Sequence, residues 1–130
     1  MRRNVLILTC LVTMLANTSA VFAGNTDKNA GVEELVRETF ADAPYMVTVL
    51  KCESELRQFD EKTGQVLISS SNDVGVSQIN LKVHAKTARD LGFDIYTTVG
   101  NLAYARYLFE LRGTEDWYMS KHCWGKKRTS

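Results

Sequence analysis

Ser71-Asn72-Asp73-Val74-Gly75-Val76-Ser77-Gln78-Ile79-Asn80 is a loop rich in hydrogen-bonding side chains that ends on a residue suited to start a helix. The side-chain oxygen of Asn80 can accept from the unpaired backbone N–H groups of a first turn beginning at Leu81. Behind it, Leu81 to Leu91 reads as a helix with His84, Ala85 and Ala88 on one side and Gly92 as its stop. Asp73, ahead of Gly75, is of the type that bonds its own backbone in turns.

Upstream, Ser69 to Ser71 is loop, and the helical period is missing from Phe59 onward. Phe59-Asp60, Lys62-Thr63-Gly64 and Val66-Leu67-Ile68 predict a small β-hairpin around a glycine-bearing turn. Earlier still, Pro44 separates two helices. The first carries Val32, Leu35, Val36 and Phe40 on one face, and the second, Tyr45 to about Glu55, carries Met46, Val49 and Leu50. Glu53 falls three and four residues beyond Leu50 and Val49, at the edge of that face, whereas Glu55 points to the opposite side.

Downstream, a fourth helix begins between Asp94 and Thr98 and runs to Arg112, where Gly113 ends it. Val99, Leu102, Ala103, Tyr104, Tyr107, Leu108 and Leu111 make it apolar nearly all round, the pattern of a buried central helix. Thr114 is expected to cap a short helix whose first turn holds Glu115 and Asp116, the charge sign its dipole favours. Together these elements predict a mostly helical α+β fold with a small β-hairpin between the second helix and those that follow.

A chain of 130 residues, 45% hydrophobic and 24% charged, fits one domain and not two. Its start is secretory in pattern: Met1-Arg2-Arg3-Asn4 is basic, Val5 to Ala16 is uncharged and mostly apolar, and Val21 and Ala23 place a cut after Ala23. The apolar run is too short to span a bilayer. Residues 1–23 are thus expected to be a signal peptide, 24–31 a flexible linker, 32–124 the folded domain and 125–130 a basic tail with Lys126, Lys127 and Arg128. Loss of Arg2 and Arg3 would take the net charge from +1 to −1, which leaves no basic footprint for nucleic acid. Cys10 would leave with the signal. Cys52 and Cys123 remain as an even pair in a chain bound for an oxidising compartment, periplasmic or extracellular. Bridged, they would close a loop of about 70 residues, worth roughly 4 kcal/mol in the chain-entropy model. Two free buried thiols are the alternative.

Metal and nucleophile chemistry find no footing in the pattern. His84 and His122 lack ligand-spaced partners, no Gly-x-Ser-x-Gly elbow is present, and the glycines are too isolated to cradle a phosphate. No metal or cofactor is expected. What remains is Glu53, a carboxylate at the edge of an apolar face, where desolvation favours the protonated form that a glycosidic general acid needs.

The segment from Ser71 to Asn80, taken with Cys52-Glu53-Ser54 some twenty residues before it, resembles the lysozyme-like superfamily. In pattern it is most similar to soluble lytic transglycosylases and their specialised secretion-system relatives, with C-type lysozymes next. Those families pair a Glu-Ser at a helix end with an Asp-x-Gly-x-x-Gln-Ile-Asn stretch leading into another helix. Asn101-Leu102 with Tyr104 also resembles the transglycosylase pattern, so the resemblance runs from about Val32 to Trp124. It implies a lysozyme-like fold with Glu53 as catalytic acid and Ser54 supporting its carboxyl. Gln78, Asn80 and Tyr104 would contact an N-acetylated sugar, and Gly75 would let the backbone approach closely. Asp73 stands where C-type lysozymes keep a second carboxylate.

Two departures qualify the match. Where transglycosylases carry an Ala-Tyr-Asn-Ala-Gly-like segment, this chain has Asp116-Trp117-Tyr118-Met119-Ser120, so Trp117 is the candidate to line the cleft. A single possible disulfide, Cys52 with Cys123, contrasts with the several of C-type lysozymes and favours the bacterial branch. The implied activity is cleavage of the β-1,4 bond between N-acetylmuramic acid and N-acetylglucosamine by a lytic transglycosylase. The alternatives are a hydrolytic muramidase using Glu53 and Asp73, or a non-catalytic wall-binding or assembly protein. The expected partners are peptidoglycan glycan strands, with secretion-system or wall-remodelling components beside them, and the expected state is a monomer.

Overall fold

A computed structural model describes residues 27–125. The expected signal peptide, residues 1–23, and the tail residues Lys126, Lys127 and Arg128 lie outside the described residues. In chain order the elements are α1 (Val32–Thr39), α2 (Tyr45–Ser54), β1 (Asp73–Val74), β2 (Ile79–Asn80), α3 (Leu81–Asp90) and α4 (Thr98–Arg112), then a 3-10 helix (Glu115–Ser120) and α5 (Lys121–Trp124). The architecture is α+β: the helices pack mainly on one another, and the described residues include a two-stranded antiparallel sheet, β1 with β2, against which α3 packs.

Each helix starts and stops for a local reason. In α1, Glu33 and Glu34 sit in the first turn and Arg37 in the last, matching the helix dipole, while Val32 and Val36 are buried. α2 follows Pro44 and ends because Glu55 and Leu56 take left-handed backbone angles, φ 56° and 61°. Asn80 caps α3 as expected, its side chain accepting from the Val83 N–H, and Thr97 does the same for α4 at Gly100. Phe40, Met46 and Leu50 are fully buried in the shared core, each contributing about 1.5–3 kcal/mol relative to exposure. Helix α4 is not surrounded, however. Leu102, Tyr104, Ala105 and Leu108 are buried, but Val99 and Leu111 are 68% and 62% exposed, so its apolar character exceeds its burial.

Strand pairing also differs from the expected position. The sheet lies within the opening motif, pairing Asp73 with Asn80 and Val74 with Ile79. The segment from Phe59 to Ile68 forms only single bridges, Phe59 to Val66 and Ile68 to Val74. The backbone still pairs across the glycine-bearing turn, Asp60 N donating to Gln65 O and Leu67 N to Gln58 O, and within the turn Asp60 Oδ1 accepts from Lys62 N, Thr63 N and Thr63 Oγ. Thr114 makes no side-chain cap; its carbonyl instead accepts from Trp117 N, the i to i+3 bond that tightens this segment into a 3-10 helix. Within the stretch read as linker, Asn29 Oδ1 accepts from Gln58 N and Phe59 N, both at 3.0 Å, and Asn29 Nδ2 donates to Phe59 O.

A disulfide joins Cys52 near the end of α2 to Cys123 in α5, with Cα atoms 6.1 Å apart. It ties the helix carrying Glu53 to the C-terminal segment. Among the described residues no helix is long and apolar enough to cross a membrane.

Candidate active site

Two buried amides hold the turn between β1 and β2. Gln58, fully buried, accepts from Val76 N at 2.9 Å and donates through Nε2 to Tyr96 O at 3.1 Å. Asn101, also fully buried, accepts from Ser77 N and donates to Val74 O and Ile95 O, each at 2.9 Å. Every polar end of both side chains is used, whereas the Ser77 hydroxyl in the loop they anchor is buried with no hydrogen-bond partner. Gly75 at the centre has φ +69°, and a Cβ there would lie 2.3 Å from Gln58 Oε1 and 2.6 Å from Asn101 Nδ2. The close approach expected of Gly75 is thus toward these amides.

Over this scaffold lies a cleft of about 430 Å³ lined by Glu53, Asp73, Gln78, Asn80, His84 and Trp117, with Ser71, Ile79, Leu108, Asp116 and Met119 completing its walls. Two of the three carboxyl groups in it, those of Glu53 and Asp73, are driven in opposite directions. Burial pushes Glu53 above the usual carboxylate range; a hydrogen bond from Ser120 opposes this, and the Asp73 charge adds to it. For Asp73, burial alone would raise the value, but hydrogen bonds from Ser71, Asn80 and Ser69 outweigh it and hold the carboxyl below its ordinary value. Asn80 Nδ2 donates to Asp73 Oδ1 at 2.7 Å, and Ser69 Oγ and Ser71 Oγ donate to Oδ2 at 3.0 and 2.5 Å. One carboxyl is therefore disposed to keep its proton and the other to remain ionised, a division suited to acid catalysis beside a developing positive charge.

The expected residues do not all meet here. Glu53, Asp73, Gln78 and Asn80 do. Ser54 does not support the Glu53 carboxyl: it points into the core, donating to Val76 O at 2.7 Å and accepting from Arg57 N, because the next residue on a helix turns about 100° away. Tyr104 is fully buried, its hydroxyl 3.1 Å from His84 Nδ1, and it does not line the cleft. Trp117 borders the cleft, but it is only 3% exposed and its Nε1 donates to Ser77 O at 2.9 Å. It is a wall against which the site is built, with little face free for stacking. Gln78 takes φ 49° and donates to Gly75 O at 2.9 Å, which holds its side chain over the turn.

Other participants had no signal in the linear pattern. Ser120 bonds Glu53 Oε1 across 67 positions, and Trp124 Nε1 donates to Ser120 Oγ at 2.9 Å. The pairing of Cys52 with Cys123 was the one available hint, because it brings the C-terminal segment to the end of α2. Also lining the cleft, His84 Nε2 lies 3.3 Å from Asp116 Oδ1, which accepts from Arg112 at 2.8 Å. Burial lowers the His84 pKa; the Asp116 charge opposes that shift. Among the described residues no group of three or more His, Cys, Asp or Glu could hold a metal ion.

No protein-family model, curated protein or solved structure matches the chain.

Proposed function

We propose that this chain is an exported enzyme of lysozyme-like fold, a lytic transglycosylase that cleaves the β-1,4 bond between N-acetylmuramic acid and N-acetylglucosamine in peptidoglycan. The observation that carries the reading is the divergence of two carboxyl groups in one cleft, Glu53 raised and Asp73 lowered. Glu53 donates its proton to the glycosidic oxygen as the bond from the anomeric carbon breaks. The positive charge that develops at that carbon is stabilised by ionised Asp73. Glu53, now a carboxylate, takes the proton of the muramic 6-hydroxyl while its oxygen bonds to the anomeric carbon, which closes a 1,6-anhydro ring and restores the acid. No water enters the balance. Gln78 and Asn80 border the same cleft and contact the N-acetylated sugar in this reading, and the glycan strand is the partner.

Hydrolysis by the same pair is the second reading, favoured by the hydrogen bonds that hold the Asp73 carboxyl below its ordinary value. Three donors already occupy that carboxylate, which suits a fixed charge better than a nucleophile. The test is clearing of purified peptidoglycan by the wild type and by Glu53→Gln, whose amide cannot donate the required proton. Clearing by the wild type and none by the variant is expected. Equal clearing by both would remove Glu53 from the mechanism.

A further inference from the structure

Ser120 has more hydrogen-bond neighbours than one hydroxyl can serve in a single orientation. Its Oγ lies within donating distance of Glu53 Oε1 and, at 3.0 Å, of Trp117 O, and it receives the Trp124 indole N–H at 2.9 Å. A hydroxyl has one proton to give and two lone pairs to accept with. We propose that Ser120 is a positioning residue whose hydroxyl rotates with the protonation of Glu53, donating to the carboxylate in one state and accepting from the carboxylic acid in the other. This rests on the reading of Glu53 as the proton donor and receiver of the site.

The two arrangements balance. With Glu53 ionised, the Ser120 proton points at Oε1, and Trp117 O keeps the longer arm, 3.3 Å, of the Trp124 N–H, which forks between it and Ser120 Oγ. With Glu53 protonated, the acid O–H donates to Ser120 Oγ, and the Ser120 proton turns to Trp117 O. Trp124 donates to Ser120 in both, which fixes the oxygen while the hydrogen moves. A general acid that must become a base within one turnover thereby keeps a partner in each role, with no side chain displaced.

Other charges around α2 do not take over this task. Asp73 is the charge that acts on Glu53 through space. On the packed elements, Asp116 is paired with Arg112, Arg37 with Glu33, Lys121 lies over the Tyr118 ring, and His122 bonds Met119 O. Glu34, Glu38 and Glu115 are exposed.

The test is a carbon-13 titration of the Glu53 carboxyl in the full chain, comparing wild type with Ser120→Ala and Ser120→Thr. A bond to the carboxylate is stronger than one to the acid, so its loss in Ser120→Ala should raise the midpoint by about 0.5–1 pH unit, and Thr should restore it. In the wild type the Trp124 indole N–H resonance should shift with the same midpoint, a readout that needs no variant. An unchanged or lowered midpoint in Ser120→Ala, or a Trp124 resonance indifferent to Glu53, would overturn the proposal. Wall clearing is measured separately. Should the wild type clear no peptidoglycan, the enzymatic reading fails while the titrations still decide what Ser120 does. If it clears, the alkaline limb of the rate profile in Ser120→Ala should move up in pH with Glu53, whereas a purely structural role would lower the rate without moving the limb.

Discussion

Asn80 and Asp73 face each other across the two-stranded sheet, and the amide of one donates to the carboxylate of the other at 2.7 Å. The same Asn80 side chain accepts from Val83 N and so starts α3. One residue thus couples the charge state of the cleft to the beginning of a helix.

Asn80→Ala should cost about 1–2 kcal/mol at neutral pH through loss of the cap and of a donor to a charged group. Asn80→Ser, which keeps a cap acceptor and loses the amide donor, should recover part of this. The sign of the pH dependence follows from the lowered Asp73 pKa: its contribution is present above the unfolded value and disappears as pH falls through the folded one. Urea unfolding at neutral pH and in acid should therefore find the variants closer to wild type in acid, with the Asn80→Ala cap loss persisting.

Gly75→Ala should be far more damaging than Gly92→Ala, although both glycines have positive φ, +69° and +83°. At Gly92 a Cβ would meet nothing within 4 Å, so only backbone strain of about 1 kcal/mol is expected. At Gly75 the Cβ collides with Gln58 and Asn101, and a loss of roughly 2–4 kcal/mol should appear in denaturant midpoints. Similar costs at the two sites would mean that the amide scaffold is not tight.

Reduction of the Cys52–Cys123 bridge should lower stability by about 2–4 kcal/mol. Activity should fall too, because α5 carries Trp124, whose indole holds the Ser120 hydroxyl at Glu53. Mass measurement of protein purified without reductant should show the bridge, and wall clearing before and after mild reduction checks the functional part.

Glu53→Gln should end the proposed activity and also raise the melting temperature at neutral pH. A carboxyl whose folded pKa is raised by burial contributes most below its unfolded value and loses that contribution as pH rises through the folded one. The neutral amide escapes the loss. The difference from wild type should shrink in acid, where Glu53 carries its proton in both states, and calorimetry across pH would show this directly.

What could be read from residues alone was what local chemistry decides. The faces of α1 and α2, the Asn80 cap, the Gly113 stop and the edge position of Glu53 all follow from spacing within a few residues. Gln58 and Ser120 could not be found that way. Gln58 is a polar residue in a segment with no period, and its burial comes from Ile95 and Tyr96 across about forty positions. Ser120 meets Glu53 only once the C-terminal segment folds back. Ser54 and Tyr104 were misplaced for a related reason: a motif names residues, but the helix face on which each lands depends on neighbours that the motif does not contain.

The choice between the two proposed enzymatic mechanisms rests on Asp73. If its role is to hold a negative charge beside the anomeric carbon while Glu53 handles both protons, the digest should contain 1,6-anhydromuramic ends, each lighter by one water than a reducing end. Asp73→Asn would then lower the rate yet leave measurable turnover, a fall smaller than the roughly 10²- to 10⁴-fold expected for loss of a general acid or base in Glu53→Gln. This outcome is the expected one, since donors from Asn80, Ser69 and Ser71 hold the carboxylate in place and damp its nucleophilicity while leaving its charge. Chromatography with mass analysis of the digests decides it. Reducing ends alone, with Asp73→Asn as inactive as Glu53→Gln, would make the protein a hydrolytic muramidase in which water, not the muramic 6-hydroxyl, completes the reaction.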